Sequence, residues 1–167
     1  MSGPKAFTED IVMGLAPHPI IFAMANPEPE IRPELAKKIR PDCIVATGRS
    51  DYPNQINNVM CFPFLFRATL DTRSSVINEE MKMACALALA KLARTEVPEQ
   101  VRNAIPGRDF TFGPEYVIPT PFDPRLIEVL PIAVAKAAIA SGVAKNKIED
   151  FEAYRIELVN RIKNQDF

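Results

Sequence analysis

The chain of 167 residues is long enough for one modest domain, and its 47% apolar and 25% charged residues are ordinary for a globular protein. Its net charge is −1, and Lys and Arg do not cluster, so nothing favours nucleic acid or an anionic membrane as a partner. The longest apolar stretch contains a lysine and is too short to span a bilayer. We therefore expect neither a nucleic acid nor a membrane partner.

The cysteines and the histidine argue against disulfide and zinc sites. Cys43, Cys61 and Cys85 are far apart, form no CxxC pair and are odd in number. Each lies among apolar neighbours, and no signal peptide is recognisable, so we expect buried free thiols in the cytoplasm. The only histidine, His18, has no second histidine or nearby cysteine with which to build a zinc site.

The first part of the chain predicts a strand–helix–strand unit. A short helix over residues 7–15, with Thr8 as its N-cap, comes first. The apolar run 19–26 has the length of a strand covered on both faces, and the helix of RPELAKKI follows with Pro33 in its first turn. A second apolar run covers 42–48. Two strands joined in this way should be parallel, with a right-handed crossover.

The remaining elements are mostly helices. We predict helices from about Asn54 to Leu70 and from Asn78, which serves as an N-cap. Residues 110–125 should be extended, with a short edge strand at EYVIP. The helix LIEVLPIAVAKAAIA should end at Ser141–Gly142, before a last helix from about Ile148 to Lys163. Two buried stripes are expected, the first made of Met81, Cys85, Ala88 and Leu92 and the second of Phe151, Tyr154, Leu158 and Ile162.

Three asparagines are the strongest candidates for a binding site. In open parallel sheets, ligands bind beyond the carboxyl ends of the strands. Asn26 ends the first predicted strand, and Asn57 and Asn58 open the predicted helix after the second strand, so the three amides should meet at one rim. A carboxamide both donates and accepts hydrogen bonds and can hold an amide or hydroxyl ligand without adding charge. The alternative is structural: Asn57 or Asn58 as a helix cap, and Asn26 in an Asx turn before Pro27.

The other polar residues favour structural interpretations. Glu28 and Glu30 flank Pro29 and are expected on a solvated surface, and Arg49 and Asp51 are expected to form a local ion pair. Glu79 and Glu80 suit the positive end of a helix dipole, and Asp123 suits a turn that starts a helix. The sequence contains no GxSxG elbow, P-loop or HExxH motif.

Four strings of sequence resemble the bacterial malic enzymes in the same order along the chain. They are IIFAMANPEPEI, IVATGRSDYPNQINNVMCFPF, INEEMKMACALALAKLA and FGPEYVIPTPFDPRL. Enzymes of this family decarboxylate malate to pyruvate with NAD or NADP and a divalent metal, Mg or Mn. The resemblance implies an α/β fold: a partial Rossmann-like parallel sheet with flanking helices and a helical C-terminal segment. Residues 1–105 would be the C-terminal half of the NAD(P)-binding domain, with 106–167 packing back on it.

The resemblance also implies roles for the three amides. By analogy with the family, Asn26 and Asn58 would contact both the substrate and the nicotinamide end of the cofactor, and Asn57 would contact the cofactor. The family's glycine-rich fingerprint, acidic metal ligands, and catalytic tyrosine and lysine have no counterpart in this sequence and would precede Met1. We therefore expect a fragment that is catalytically incomplete, with no catalytic residue and no metal ligand of its own.

Other hypotheses remain open at this point. The chain could be a non-catalytic half-domain that binds a nucleotide or a partner supplying the other half, or a Rossmann-like dehydrogenase of another kind. A half-domain should expose apolar surfaces, so we expect a homo-oligomer or a domain-swapped assembly.

Overall fold

The computed structural model describes Gly3 and residues 6–163. Its elements, in chain order, are α1 (Glu9–Met13), β1 (Ile20–Ala23), α2 (Pro33–Ile39), β2 (Ile44–Thr47), a 3₁₀ helix (Asn58–Met60), α3 (Phe62–Asp71), α4 (Glu79–Leu92), α5 (Glu99–Ala104), α6 (Leu126–Ala140) and α7 (Phe151–Lys163). No helix in this part of the chain is long and apolar enough to cross a membrane.

The chain forms two compact units. Unit 1 contains the described residues up to Asn57 together with Ala93–Thr120. Unit 2 contains Asn58–Leu92 together with the described residues from Pro121 onwards. The predicted division of the chain at residue 105 stays a prediction.

Unit 1 is built on the predicted strand–helix–strand unit. β1 and β2 are parallel, with Ile20 opposite Ile44 and Ala23 opposite Thr47. Thr8 caps α1 and Pro33 opens α2, as predicted. One core cluster joins α1, α2 and both strands, and it consists of Val12, Ile21, Ala23, Ile31, Ala36, Cys43 and Val45. A second consists of Val97, Val101, Phe110 and Tyr116.

β1 is not covered on both faces within this chain, contrary to prediction. Among the described residues it pairs only with β2. Ile21 and Ala23 are buried, whereas Ile20 and Phe22 are 64% and 56% exposed. The continuous apolar run therefore leaves one apolar face of the strand open to solvent.

Two predictions for residues of unit 1 are wrong, the start of a helix at Asn54 and a strand at EYVIP. The helix expected from Asn54 does not begin there, because Asn54 has a φ of 54°. EYVIP is not a strand: Gly113 and Tyr116 form an isolated antiparallel bridge. The backbone N–H of Val117 is bound by the Asn54 side chain instead of by a neighbouring strand.

Unit 2 is a set of packed helices in which α6 contacts α3, α4 and α7. α3 begins at Phe62, with Pro63 in its first turn, where the missing proline N–H costs no helical hydrogen bond. Asn78 caps α4, and α6 ends at Ser141 before Gly142 with a φ of 76°, as predicted. α4 buries Leu89 rather than the expected Ala88.

α7 begins at Phe151, three residues later than predicted, because Asp150 caps it. The Asp150 Oδ1 atom accepts hydrogen bonds from Glu152 N and Ala153 N, both at 2.9 Å. Tyr154 and Leu158 are buried, but Ile162 is exposed and is not part of the buried stripe.

Candidate functional site

The carboxyl ends of β1 and β2 open into a polar pocket in unit 1. Asn26 follows the end of β1 by three residues, and Gly48 follows β2 directly. The pocket has a volume of about 380 Å³. It is lined by Asn26, Pro27, Gly48, Arg49, Ser50, Asp51 and Gln55. Asn26 therefore lines a pocket at the strand ends, where open parallel sheets bind ligands, and its role in binding stays a prediction.

A buried carboxylate holds the backbone just before Asn26. Glu30 is only 4% exposed, and its Oε2 atom accepts a hydrogen bond from Ala25 N at 2.9 Å. The backbone carbonyl of Glu30 accepts a further hydrogen bond from Phe7 N at 3.3 Å. The expectation that Glu30 lies on a solvated surface is therefore wrong, because its side chain turns back to the end of β1 instead of out to water.

Arg49 connects the loops that follow the two strands. Its Nε and Nη2 atoms donate to the two carboxylate oxygens of Asp51 at 2.9 and 2.8 Å, which confirms the predicted local ion pair. Its Nη1 atom donates to the carbonyl of Pro27 at 3.0 Å. The hydrogen bond to Asp51 raises the pKa of Arg49, and the same bond lowers the pKa of Asp51. Both side chains are therefore charged at neutral pH and fix the rim beside Asn26.

Asn54 fastens the end of β2 to a distant loop. Its Nδ2 atom donates to the carbonyls of Val45 at 3.1 Å and Pro114 at 2.7 Å. Its Oδ1 atom accepts from Val117 N at 2.9 Å. Asn54 is 4% exposed, so most of the hydrogen bonds that its amide can form are made inside unit 1. The sequence predicts Asn54 only as the start of a helix. Its role depends on a positive φ and on contacts with distant residues, and neither produces a periodic pattern in the sequence.

The two tandem asparagines follow this segment. Asn57 is the last residue of unit 1 before the chain enters unit 2, and Asn58 opens the 3₁₀ helix. Both side chains are exposed. The Asn58 carbonyl accepts a hydrogen bond from Cys61 N at 3.1 Å. The convergence of Asn57 and Asn58 with Asn26 stays a prediction.

Three pocket residues carry uncharged polar groups that can bind a ligand. The carboxamides of Asn26 and Gln55 can each donate and accept, and the Ser50 hydroxyl can do the same. Among Gly3 and residues 6–163, no three His, Cys, Asp or Glu side chains come together in a way that could hold a metal ion. The Asn26, Gln55 and Ser50 side chains can bind a carboxamide or hydroxyl group of a ligand.

Comparison with known proteins identifies what the chain is similar to. A model of the family described as "Malic enzyme, NAD binding domain" matches residues 1–106. An NADP-dependent malic enzyme of Salmonella typhimurium is 59% identical over 153 residues, which cover 92% of this chain. An NAD-dependent malic enzyme of Rhizobium meliloti is 50% identical over 161 residues, 96% of this chain. The chain spans about a fifth of the length of these curated relatives, 20% and 21%.

Solved structures give the same result for the fold. The crystal structure of a malic enzyme from Pyrococcus horikoshii matches with a TM-score of 0.79 and 36% identity, over 98% of this chain and 34% of that one. A malic enzyme from Entamoeba histolytica matches with a TM-score of 0.79 and 30% identity, over 96% of this chain and 30% of that one. The predicted α/β fold class is confirmed.

Proposed function

Because this chain belongs to the malic enzyme family, matching its NAD-binding domain, we propose that it is part of an oxidoreductase that converts malate to pyruvate by oxidative decarboxylation. The cofactor is NAD or NADP, since relatives named for each are at least 50% identical to this chain. The proposed location is the cytoplasm, in agreement with the three free thiols.

The observation that carries this proposal is the position of Asn26 in the pocket at the strand ends. The nicotinamide ring, when bound, would supply the hydride acceptor for malate oxidation. Asn26 would hold the carboxamide of that ring or an oxygen of malate through its amide. The loops around it are held in place by Glu30 and Arg49. Orienting two reactants in this way lowers the barrier without any proton transfer by the amide itself.

Asn57 and Asn58 complete the proposed binding set. Asn58 would contact substrate and nicotinamide, and Asn57 the cofactor. Both are exposed, and both follow Gln55 of the pocket within three residues. An amide at each position can bind a neutral or an anionic ligand, because its N–H₂ group donates and its carbonyl accepts.

Divalent metal, Mg or Mn, takes no part that we can assign to residues of this chain. In the described part of the chain, no group of His, Cys, Asp or Glu side chains could hold a metal ion, so we assign none of these residues a role in metal binding. We therefore propose that the 167-residue chain does not oxidise malate by itself.

The test uses this chain in two contexts. In the first, the isolated chain is assayed with malate, manganese and NAD or NADP. In the second, it replaces the matching segment of a full-length NADP-dependent relative. We expect no turnover in the first context and formation of reduced nicotinamide and pyruvate in the second. The Asn26→Ala variant of the chimera should lose about 100-fold in kcat/KM, because the ligand is no longer oriented.

Asn103→Ala is the matched control, since Asn103 is an exposed asparagine on α5, away from the pocket. It should leave kcat/KM unchanged. A folded chimera without turnover, or equal losses from Asn26→Ala and Asn103→Ala, contradicts the proposed function. Turnover by the isolated chain contradicts the proposal that it is incomplete.

A further inference from the structure

Two of the cysteines form a pair within unit 2. Cys61 is the N-cap residue of α3, and Cys85 lies in the middle of α4. The helices are packed together, and the two thiols form a hydrogen bond. Cys85 is only 1% exposed, whereas Cys61 is partly exposed. A small reagent can therefore reach Cys61, whereas the Cys85 thiol bonded to it is shielded from solvent.

The surroundings of Cys61 favour its thiolate. The hydrogen bond from the Cys85 thiol lowers the pKa of Cys61 and outweighs the opposing effect of burial. The pKa of Cys85 is raised by that same bond and by burial. Cys43 offers a contrast, because it is buried in unit 1 and burial raises its pKa. The chain thus has one accessible, acidic thiol, with a protonated partner beside it.

We propose that Cys61 and Cys85 are a peroxide-sensitive dithiol that closes to an intramolecular disulfide. The Cys61 thiolate attacks the terminal oxygen of a hydroperoxide, the O–O bond breaks, and Cys61 becomes a sulfenic acid, while the departing hydroxide or alkoxide takes a proton from solvent. The Cys85 sulfur then attacks the sulfenic sulfur, its proton leaves with the hydroxyl as water, and the S–S bond forms. The two thiols lose two electrons, and the hydroperoxide gains them.

The bond would join the start of α3 to α4 directly beside the tandem asparagines. Cys61 N donates to the Asn58 carbonyl at 3.1 Å, so Cys61 and Asn58 belong to the same short turn. A disulfide would fix the side chain of Cys61 against α4. Oxidation is therefore expected to alter the turn that begins with Asn58, in addition to consuming the thiols.

The experiment treats the reduced 167-residue chain with hydrogen peroxide until a reference thiol, N-acetylcysteine, is consumed. Remaining thiols are blocked with a maleimide, and the chain is digested with trypsin for mass spectrometry. The three cysteines fall in different tryptic peptides, because Lys or Arg residues separate them. We expect the peptides of Cys61 and Cys85 to be linked and the peptide of Cys43 to carry the maleimide, so that two of three thiols are lost.

Variants separate the two chemical steps. In Cys85→Ser, Cys61 should accumulate as a sulfenic acid that dimedone captures, without a linked peptide. In Cys61→Ser, Cys85 should keep its thiol. Cys43→Ser is the matched control and should still form the Cys61–Cys85 link. The proposal is overturned if no thiol is lost, if Cys43 enters the disulfide, or if Cys61 links two chains on a non-reducing gel.

Discussion

Asn54 shows how one buried side chain can hold three segments of unit 1. Its amide group forms hydrogen bonds with Val45 of β2 and with Pro114 and Val117, which lie inside and just after the turn closed by the Gly113–Tyr116 bridge. Its backbone has a φ of 54°, a conformation that asparagine tolerates better than most residues. Side-chain chemistry and backbone conformation therefore favour the same residue at this position.

Replacing Asn54 should destabilise unit 1. In Asn54→Ala, Val117 N and two carbonyls lose their buried partners, and we expect a loss of about 3 kcal/mol in the free energy of unfolding. Asn54→Gly loses the same bonds but accepts the positive φ, so it should be about 1 kcal/mol more stable than Asn54→Ala. Urea unfolding followed by circular dichroism measures both values. Equal stability of Asn54→Ala and the unmodified chain contradicts the assigned role.

Glu30 acts on the residue next to Asn26 in a similar way. Glu30→Gln keeps an oxygen acceptor for Ala25 N, whereas Glu30→Ala removes it. We expect Glu30→Ala to lose about 1–3 kcal/mol of stability and to shift the Asn26 side-chain amide signals in nitrogen-edited NMR spectra. Glu30→Gln should retain most of both properties. If the Asn26 signals are the same in both variants, Glu30 does not position the loop.

At the scale of elements, helix ends are fixed by local caps and by contacts between helices. Asn78 does both in unit 2, because its Oδ1 atom accepts from Met81 N at 3.0 Å and its Nδ2 atom donates to the Ser141 hydroxyl at 2.9 Å. It therefore starts α4 and connects it to the end of α6. Thr8 caps α1 through an exposed bond of 3.4 Å and has only the local role.

The two caps should differ in their contribution to stability. Asn78→Ala removes a cap and a contact between helices, so we expect a loss of about 2 kcal/mol in the free energy of unfolding. Thr8→Ala should cost about 0.5 kcal/mol, since its hydrogen bond is long and exposed. Chemical denaturation of the two variants measures the difference. A larger loss for Thr8→Ala contradicts this ranking.

α7 is fastened to α3 by a buried phenol. Tyr154 Oη donates to Asp71 Oδ2 at 2.8 Å, and Asp71 also pairs with Arg67 of α3 and Arg161 of α7. Burial, followed by the hydrogen bond to Asp71, raises the pKa of Tyr154 above its ordinary value of 10.0. The folded chain thus keeps the phenol proton at a pH where the unfolded chain loses it.

Because the pKa of Tyr154 is raised in the folded chain, unit 2 should lose stability at alkaline pH. The contribution of Tyr154 is complete below pH 10.0 and is lost as the pH rises from there through the raised pKa. Tyr154→Phe should lower the free energy of unfolding by about 2 kcal/mol near neutral pH. As the pH rises, the stability of this variant should decline less than that of the unmodified chain. Tyr52→Phe, which removes a 3.4 Å bond to Glu34, is the control and should cost less. Identical alkaline slopes for Tyr154→Phe and the unmodified chain contradict the assignment.

At the scale of the whole molecule, the open face of β1 matters most for association. Ile20 and Phe22 are exposed on the same face of a strand that has β2 as its only partner among the described residues. Exposed apolar residues on an edge strand favour association with another chain. This observation supports the predicted homo-oligomer, with a second copy covering β1.

We expect the isolated chain to self-associate through this face. Phe22→Lys should shift the sedimentation profile from oligomer towards monomer. Leu87→Lys is the matched control, because Leu87 lies on α4 in unit 2 and is 62% exposed. A monomer at every concentration, or a shift caused by Leu87→Lys and not by Phe22→Lys, contradicts an interface at β1.

Sequence patterns were enough to predict the parallel strand–helix–strand unit, the caps at Thr8 and Asn78, the family and the strand-end position of Asn26. Apolar periodicity and capping depend on residues within about four positions of each other, so they can be read along the chain. The roles of Asn54 and Glu30, and the pairing of Cys61 with Cys85, are visible only in the folded chain. The hydrogen-bond partners of a buried polar group can lie far away in the sequence, and Val117 is 63 residues from Asn54.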